Sequence, residues 1–312
     1  MVKTGSRVAG AAPIRYPAAM QVTPTHAPQQ QDRMRPRHGI SLDLRADVTP
    51  GARRVLALND LAECARLYRL ASTLGWLDIK LRYRGSILGP FWLTLSTGVM
   101  ILAMGLLYSR LFHMSLQDYM PYLALSIVLW NTIAAMVSEA CICFTGAEGT
   151  IRATRLPFTI YAARAVVRNA LVLAHNAVVI VLVIAVYDVW PGWGALAALP
   201  GLAVWIVDGV AACLLLGTFC ARFRDIPPIV GSIMQIAFFL TPIIWRPELI
   251  GDAVAWLVLN PFYPLVAIVR DPLLDNVPGP LIWLAAVAWS GLLVVAAGLV
   301  FARLRGRLAF WV

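Results

Sequence analysis

The sequence predicts an all-α integral membrane protein. It has six transmembrane helices, an amphipathic interface helix ahead of them, and re-entrant helices between spans five and six. Three observations predict it. Apolar residues make up 60% of the 312 and charged residues 13%, against roughly 45–50% and about 25% in soluble domains; the mean hydropathy is +0.74. Six stretches after residue 86 are long and apolar enough to cross a bilayer, whose hydrocarbon core of about 30 Å takes roughly 20 residues of helix. The basic residues favour alternate loops. Of 26 Lys and Arg, 14 lie in residues 1–86, nine (Arg152, Arg155, Arg164, Arg168, Arg222, Arg224, Arg303, Arg305, Arg307) fall near one side, and only Arg110, Arg246 and Arg270 fall near the other.

That asymmetry is the positive-inside pattern. It places both termini in the cytoplasm, as an even number of crossings requires. It also explains the net charge of +10 as a membrane-side bias, so no nucleic-acid partner is expected. The five cysteines fall in spans or on the cytoplasmic side, where thiols stay reduced. Cys141-x-Cys143 has no second ligand pair, so no metal site is expected. The first residues lack the apolar core of a cleavable signal.

Residues 1–55 are rich in Pro, Gln and Arg and read as a disordered basic cytoplasmic tail; residues 56–312 read as one membrane domain. Within 60–84, Leu67, Leu70, Leu74, Leu77 and Leu81 recur on one helical face with Arg66, Arg69, Asp78, Lys80 and Arg82 between them. This is the pattern of a helix lying in the membrane surface, or of one packed on a soluble partner. Gly85 and Gly89-Pro90 mark the turn into the bilayer. Spans are expected at about 87–109, 120–142, 160–187, 195–219, 228–245 and 281–302. Residues 246–280 are apolar but broken by Asn260-Pro261 and Pro264, and read as two short helices dipping into the outer leaflet. Non-helical backbone at that depth is tolerated where protein covers it.

Four stretches, in order and spacing, resemble one family. They are Leu81-Arg82-Tyr83-Arg84-Gly85-Ser86-Ile87-Leu88-Gly89-Pro90-Phe91-Trp92, then Gly146 to Phe158 (GAEGTIRATRLPF), then Phe223-Arg224-Asp225-Ile226 with Thr241-Pro242, and finally Asn260-Pro261 with Arg270. Over residues 60–312 the chain resembles the membrane (permease) subunits of type-2 ABC transporters that export polysaccharides such as O-antigen, capsule and teichoic acid. Phe158 stands where the family often has a basic residue. The chain carries no G-x-x-x-x-G-K-[ST] phosphate loop, so this chain is expected to be no enzyme and to bind no cofactor. The resemblance implies a second copy of the chain and two separate nucleotide-binding subunits that carry ATP and Mg.

The resemblance also suggests sites. The loop with Glu148, Arg152 and Arg155 would couple to the ATPase; its arginines also serve as ordinary markers of the inner side. Lys80, Arg82 and Arg84 sit where the pyrophosphate of a lipid-linked sugar would arrive, and Arg suits phosphate by its bidentate fork. The same residues fit plain snorkelling to membrane lipids. Phe91, Trp92, Trp130, Phe238, Phe239 and Trp245 could offer stacking faces to a moving polymer, or pack against lipid. The segment 246–280 would gate the outer end.

His175 and Asp208 lie within spans, where ionisable groups are functional candidates; they suit a proton relay or a structural hydrogen bond. Three other readings stay open. A small-molecule efflux permease would use the same machinery. A proton-coupled carrier would need no ATPase. An enzyme acting on polyprenyl-linked sugars would need carboxylates gathered at one face, whereas Glu139, Glu148 and Asp225 are expected on different loops.

Overall fold

The computed structural model describes residues 50–85 and 91–312. Most of the expected tail and the Gly89-Pro90 turn lie outside the described residues. Among the described residues the chain is helical with no strand. The helices are α1 (Pro50–Arg66), α2 (Tyr68–Arg82), α3 (Phe91–Leu111), α4 (Leu116–Ile142), α5 (Glu148–Ala153), α6 (Thr159–Tyr187), α7 (Ala198–Arg222), α8 (Ile226–Leu240), α9 (Phe262–Leu273) and α10 (Pro280–Trp311). A 3-10 segment, Pro247–Leu259, precedes α9.

Helix α4 is the axis. It packs against α3, α6, α7, α8 and α9, and nearly every residue from Tyr119 to Ile133 is buried. Ser115 starts it: the Ser115 Oγ accepts from the Asp118 amide at 3.1 Å, satisfying one of the orphan donors of a helix N-terminus. Helix α7 reaches its neighbours through small residues. A Cβ at Gly201 would lie 2.9 Å from the Ile268 carbonyl oxygen of α9, and one at Gly217 would lie 2.9 Å from the Phe144 ring. Between membrane helices, packing replaces the hydrophobic drive, so small residues that admit close approach mark the contacts.

Among the described residues five helices are long and apolar enough to span a bilayer: α3, α4, α6, α7 with its leading turn, and α10. The fifth expected span, 228–245, is corrected. Its helix, α8, ends at Leu240. Thr241 is extended (φ −93°, ψ 137°), the conformation favoured before Pro242, whose ring disfavours the helical region for the residue before it. Fifteen residues of α-helix reach only about 22 Å. The chain continues through the bent stretch 241–245, in which Thr241 to Ile244 are buried.

The broken segment matches its expectation. The Pro247–Leu259 segment and α9 meet at 116°, with Gly251 at φ 55° inside the first. Arg246 hydrogen-bonds the Asp118 carbonyl at the start of α4, and beyond α9 Asp275 lies against Gly192 in the α6–α7 turn. Both ends therefore sit at the same end of the bundle. The apex, Phe262, packs on Trp130, about 18 Å along α4 from Asp118. The pair enters and leaves on one side.

The interface helix differs in two ways. It is two helices, interrupted at Leu67 (φ −94°, ψ 20°), and the first begins at Pro50, inside the stretch read as tail. The leucine stripe is divided: Leu67, Leu70 and Leu74 are half-buried at the edge of the packed face of α2. Ala71, Gly75 and Ile79 are buried, with Gly75 against Val167 of α6, while Leu77 and Leu81 are exposed. Helix α1 is clasped at the basic end. The Asp60 carboxylate accepts from Arg305 of α10 (2.6 Å) and from the Thr159 amide (3.3 Å), so it caps α6, which has no side-chain cap of its own.

Candidate functional site

Three groups of residues stand out, one at each end of the bundle and one on a surface loop. At the basic end α2 meets α4 and α6 through ion pairs. Arg164 forks Asp78 (2.6 and 2.5 Å). Arg168 donates to Asp78 (2.8 Å) and to both oxygens of Glu139 (2.7 to 3.1 Å), and Asn169 adds a bond to Glu139 at 2.5 Å. Burial alone would raise the Asp78 pKa, but Arg164 and Arg168 outweigh it and hold the carboxyl below its usual value. Of the expected headgroup residues, Arg82 is the one drawn into this cluster, at 3.4 Å from Glu139. Lys80 and Arg84 are exposed.

Glu139, Arg164, Arg168 and Asn169 carry no site role in the sequence reading. Glu139 lies on α4 rather than in a loop. The signal available was a carboxylate three residues inside an apolar span, which demands a partner.

The loop Gly146 to Phe158 folds as a 3-10 turn (Thr145–Ala147) and the short helix α5. Glu148 and Arg152 pair at 2.8 Å one turn apart, both largely exposed, with the acid at the N-terminus and the base at the C-terminus as the helix dipole favours. Arg152 also donates to the Val312 carbonyl (2.7 Å). Arg155 is exposed on the same loop. A polar cavity of about 360 Å³ lies alongside, lined by Glu148, Arg152, Arg224, Trp311 and Val312 among others. The second and third motifs thus share one surface with the end of α10.

At the opposite end the third and fourth motifs lock together. Asn260 Nδ2 donates to Thr241 Oγ1 (2.9 Å) while its Oδ1 accepts from the Phe262 amide (3.0 Å). Arg270, only 2% exposed, donates to the Pro242 carbonyl (3.0 Å), Tyr122 Oη (3.0 Å) and Ser126 Oγ (3.3 Å), pairs with Asp271 (2.9 Å), and lies 4.5 Å over the Tyr122 ring. Tyr119 donates to the Ile244 carbonyl (2.5 Å), and Tyr122 to that of Pro242 (2.8 Å). The non-helical stretch 241–245 therefore finds side-chain donors for backbone that no helix satisfies, the condition for irregular chain at membrane depth. The tyrosines were not anticipated.

The six aromatics divide. Trp130 is buried and packs on Phe238 (5.9 Å) and on Phe262 (5.5 Å), which the sequence reading missed; Phe238 packs on Phe239 (5.2 Å), and Trp245 Nε1 donates to the Phe239 carbonyl (3.1 Å). Phe239 faces outward. Phe91 and Trp92 stand apart, exposed at the start of α3, where Phe91 lines an apolar groove of about 330 Å³ between α3 and α6. His175 and Asp208 do not bond to each other. His175 Nδ1 donates to the Leu171 carbonyl on its own helix (2.7 Å), and Asp208 Oδ2 accepts from Ser290 of α10 (2.8 Å).

A multi-span helical bundle with a re-entrant pair at one end and a small charged helix at the other is the architecture of an integral membrane protein. The ABC-2 type transporter model matches residues 69–274, and the chain belongs to that family, as a transporter membrane subunit. Among curated proteins it is similar to the O-antigen export system permease protein RfbA of Myxococcus xanthus, 25% identical over 239 residues covering 74% of this chain and 91% of that one. It is also similar to the protein of the same name from Klebsiella pneumoniae, 20% identical over 235 residues covering 74% and 90%.

Proposed function

We propose that this chain is the permease of an ATP-driven exporter that moves a lipid-linked polysaccharide of O-antigen or capsule type outward across a bacterial inner membrane. The observation that carries the reading is its likeness to O-antigen export permeases over nine tenths of their length. The basic end faces the cytoplasm, so both termini do. Two copies pair, and two nucleotide-binding subunits holding ATP and Mg dock on α5 and the cavity beside it. Lys80, Arg82 and Arg84 receive the lipid-borne pyrophosphate. The polymer follows along Phe91, Trp92 and the aromatic group of Trp130, Phe238, Phe239 and Trp245, and the re-entrant pair closes the outer end. No single tight sugar site is needed, since a sliding polymer is served by many weak stacking contacts.

Depletion of the chain in its native cell tests this. The expected result is loss of surface polysaccharide, accumulation of the lipid-linked polymer inside, and recovery of a P-loop ATPase with the tagged wild-type chain. Unchanged surface polymer on depletion would remove the cargo, and a clean oligomer without an ATPase would remove the power source.

A further inference from the structure

Helix α5 is joined to α6 by residues 154–158, which belong to no helix. A push on α5 would be lost in bending that link unless its far end is held. Asp60 of α1 holds it. Its backbone carbonyl accepts from Thr159 Oγ1 (2.8 Å) and its carboxylate accepts from the Thr159 amide (3.3 Å), both at the first residue of α6. The other carboxylate oxygen accepts from Arg305 of α10 (2.6 Å), and the Arg305 guanidinium lies 5.9 Å over the Phe158 ring. One aspartate therefore joins the end of the loop to α10. Asp60 and Arg305 both lie outside residues 69–274, the stretch that the family model matches.

The tie is buried. The Asp60 side chain is 1% exposed and that of Arg305 is 18%. Arg152 also bonds the Val312 carbonyl beside the last turn of α10, but its side chain is 66% exposed, and charged contacts in water hold weakly. Separating a buried pair is costly, because each charge is then left without its partner, so the Asp60 tie is the one that stays closed under load. Helix α10 is one helix of 32 residues, about 48 Å long, and a helix passes displacement along its length as a rigid element. Towards its other end Trp289 Nε1 donates to the Val258 carbonyl (3.1 Å) in the segment that leads into α9. Helix α10 thus meets the coupling loop at one end and the re-entrant pair towards the other. Resting on the exporter reading above, we infer that Asp60 is a positioning residue for export: by fixing the start of α6 to α10 it makes a push on α5 move α10, and through α10 the re-entrant pair.

The test removes the tie without stranding a charge. Asp60→Asn with Arg305→Met deletes both charges together, which is often neutral or stabilising, whereas either change alone leaves a buried charge unpaired. Asn still caps α6, and Met still packs on the Phe158 ring. The tagged chain is purified with its ATPase into nanodiscs and compared with wild type for melting temperature, ATPase recovered and ATP hydrolysis; the cells are scored for surface polysaccharide. The double variant melts as wild type, recovers the wild-type amount of ATPase and hydrolyses ATP, while most surface polysaccharide is lost and lipid-linked polymer accumulates inside. Thr159→Val, which deletes only the hydroxyl bond, lowers export in the same direction and Thr159→Ser restores it; this pair serves if the double variant does not fold. Normal export from the folded double variant, or from Thr159→Val in its place, would reduce the tie to a structural contact and overturn the inference. Loss of the ATPase from the variant alone would put the tie in docking rather than transmission, and overturn it as well. A wild-type chain that recovers no ATPase would remove the exporter reading itself, and the inference with it.

Discussion

Arg270 shows how one side chain can hold non-helical backbone inside a membrane domain. Its guanidinium serves a carbonyl on the α8–α9 connection, two hydroxyls on α4 and a carboxylate on its own helix. A planar fork with several donors can do this, whereas an ammonium on a flexible stem cannot reach all of them at once. Arg270→Ala leaves the Pro242 carbonyl and Asp271 without this donor, at a cost of about 3 kcal/mol. Arg270→Lys recovers less than half of that loss. Thermal unfolding of the detergent-solubilised chain checks both, and a wild-type melting temperature for Arg270→Ala would mean that the tyrosines alone hold the stretch.

At the level of elements, α2 shows where sequence patterning was read correctly and where it misled. The leucine stripe is shared: Leu67, Leu70 and Leu74 are half-buried, Ala71 and Gly75 lie at the contact with α6 where small residues admit close approach, and Leu77 and Leu81 face out. The breaks were legible where proline wrote them: Asn260-Pro261 ends the first re-entrant segment, and Thr241-Pro242 stops α8 five residues before the drawn span. The ion pairs were not legible. Asp78 meets Arg164 across 86 positions and Glu139 meets Arg168 across 29, and nothing local announces such pairs. The Asp78 pairs with Arg164 and Arg168 make the docking of α2 pH-dependent. Asp78 is held below its usual pKa, so its contribution is complete above the unfolded value of about 3.9 and is lost as pH falls through the lower folded value. Proteolysis between α2 and α3 should stay at its neutral level down to about pH 4 and accelerate only below it. Asp78→Asn should show the accelerated rate at neutral pH and no further rise on acidification.

For the molecule as a whole, the proposed function brings energy to the membrane domain through α5 and the cavity beside it. Helix α5 has six residues, too few to stand alone. Its Glu148–Arg152 pair contributes about 0.5 kcal/mol at most as an internal helix contact, so internal stability is a poor reason for placing both charges on an exposed turn. Docking is the better one, because a partner reads the order of charges whereas the helix reads only that they attract. Exchanging the two separates these roles. Glu148→Arg with Arg152→Glu keeps an attractive pair one turn apart, loses part of the favourable dipole alignment, and reverses the pattern offered to a partner. Each single charge reversal should abolish recovery of the ATPase with the tagged chain, and the double exchange should not restore it, although the permease still folds and inserts. Should the exchange restore the ATPase to the wild-type amount, the pair would act only within α5, and the coupling contact would have to be sought on Arg155 and the Arg224 side of the neighbouring cavity.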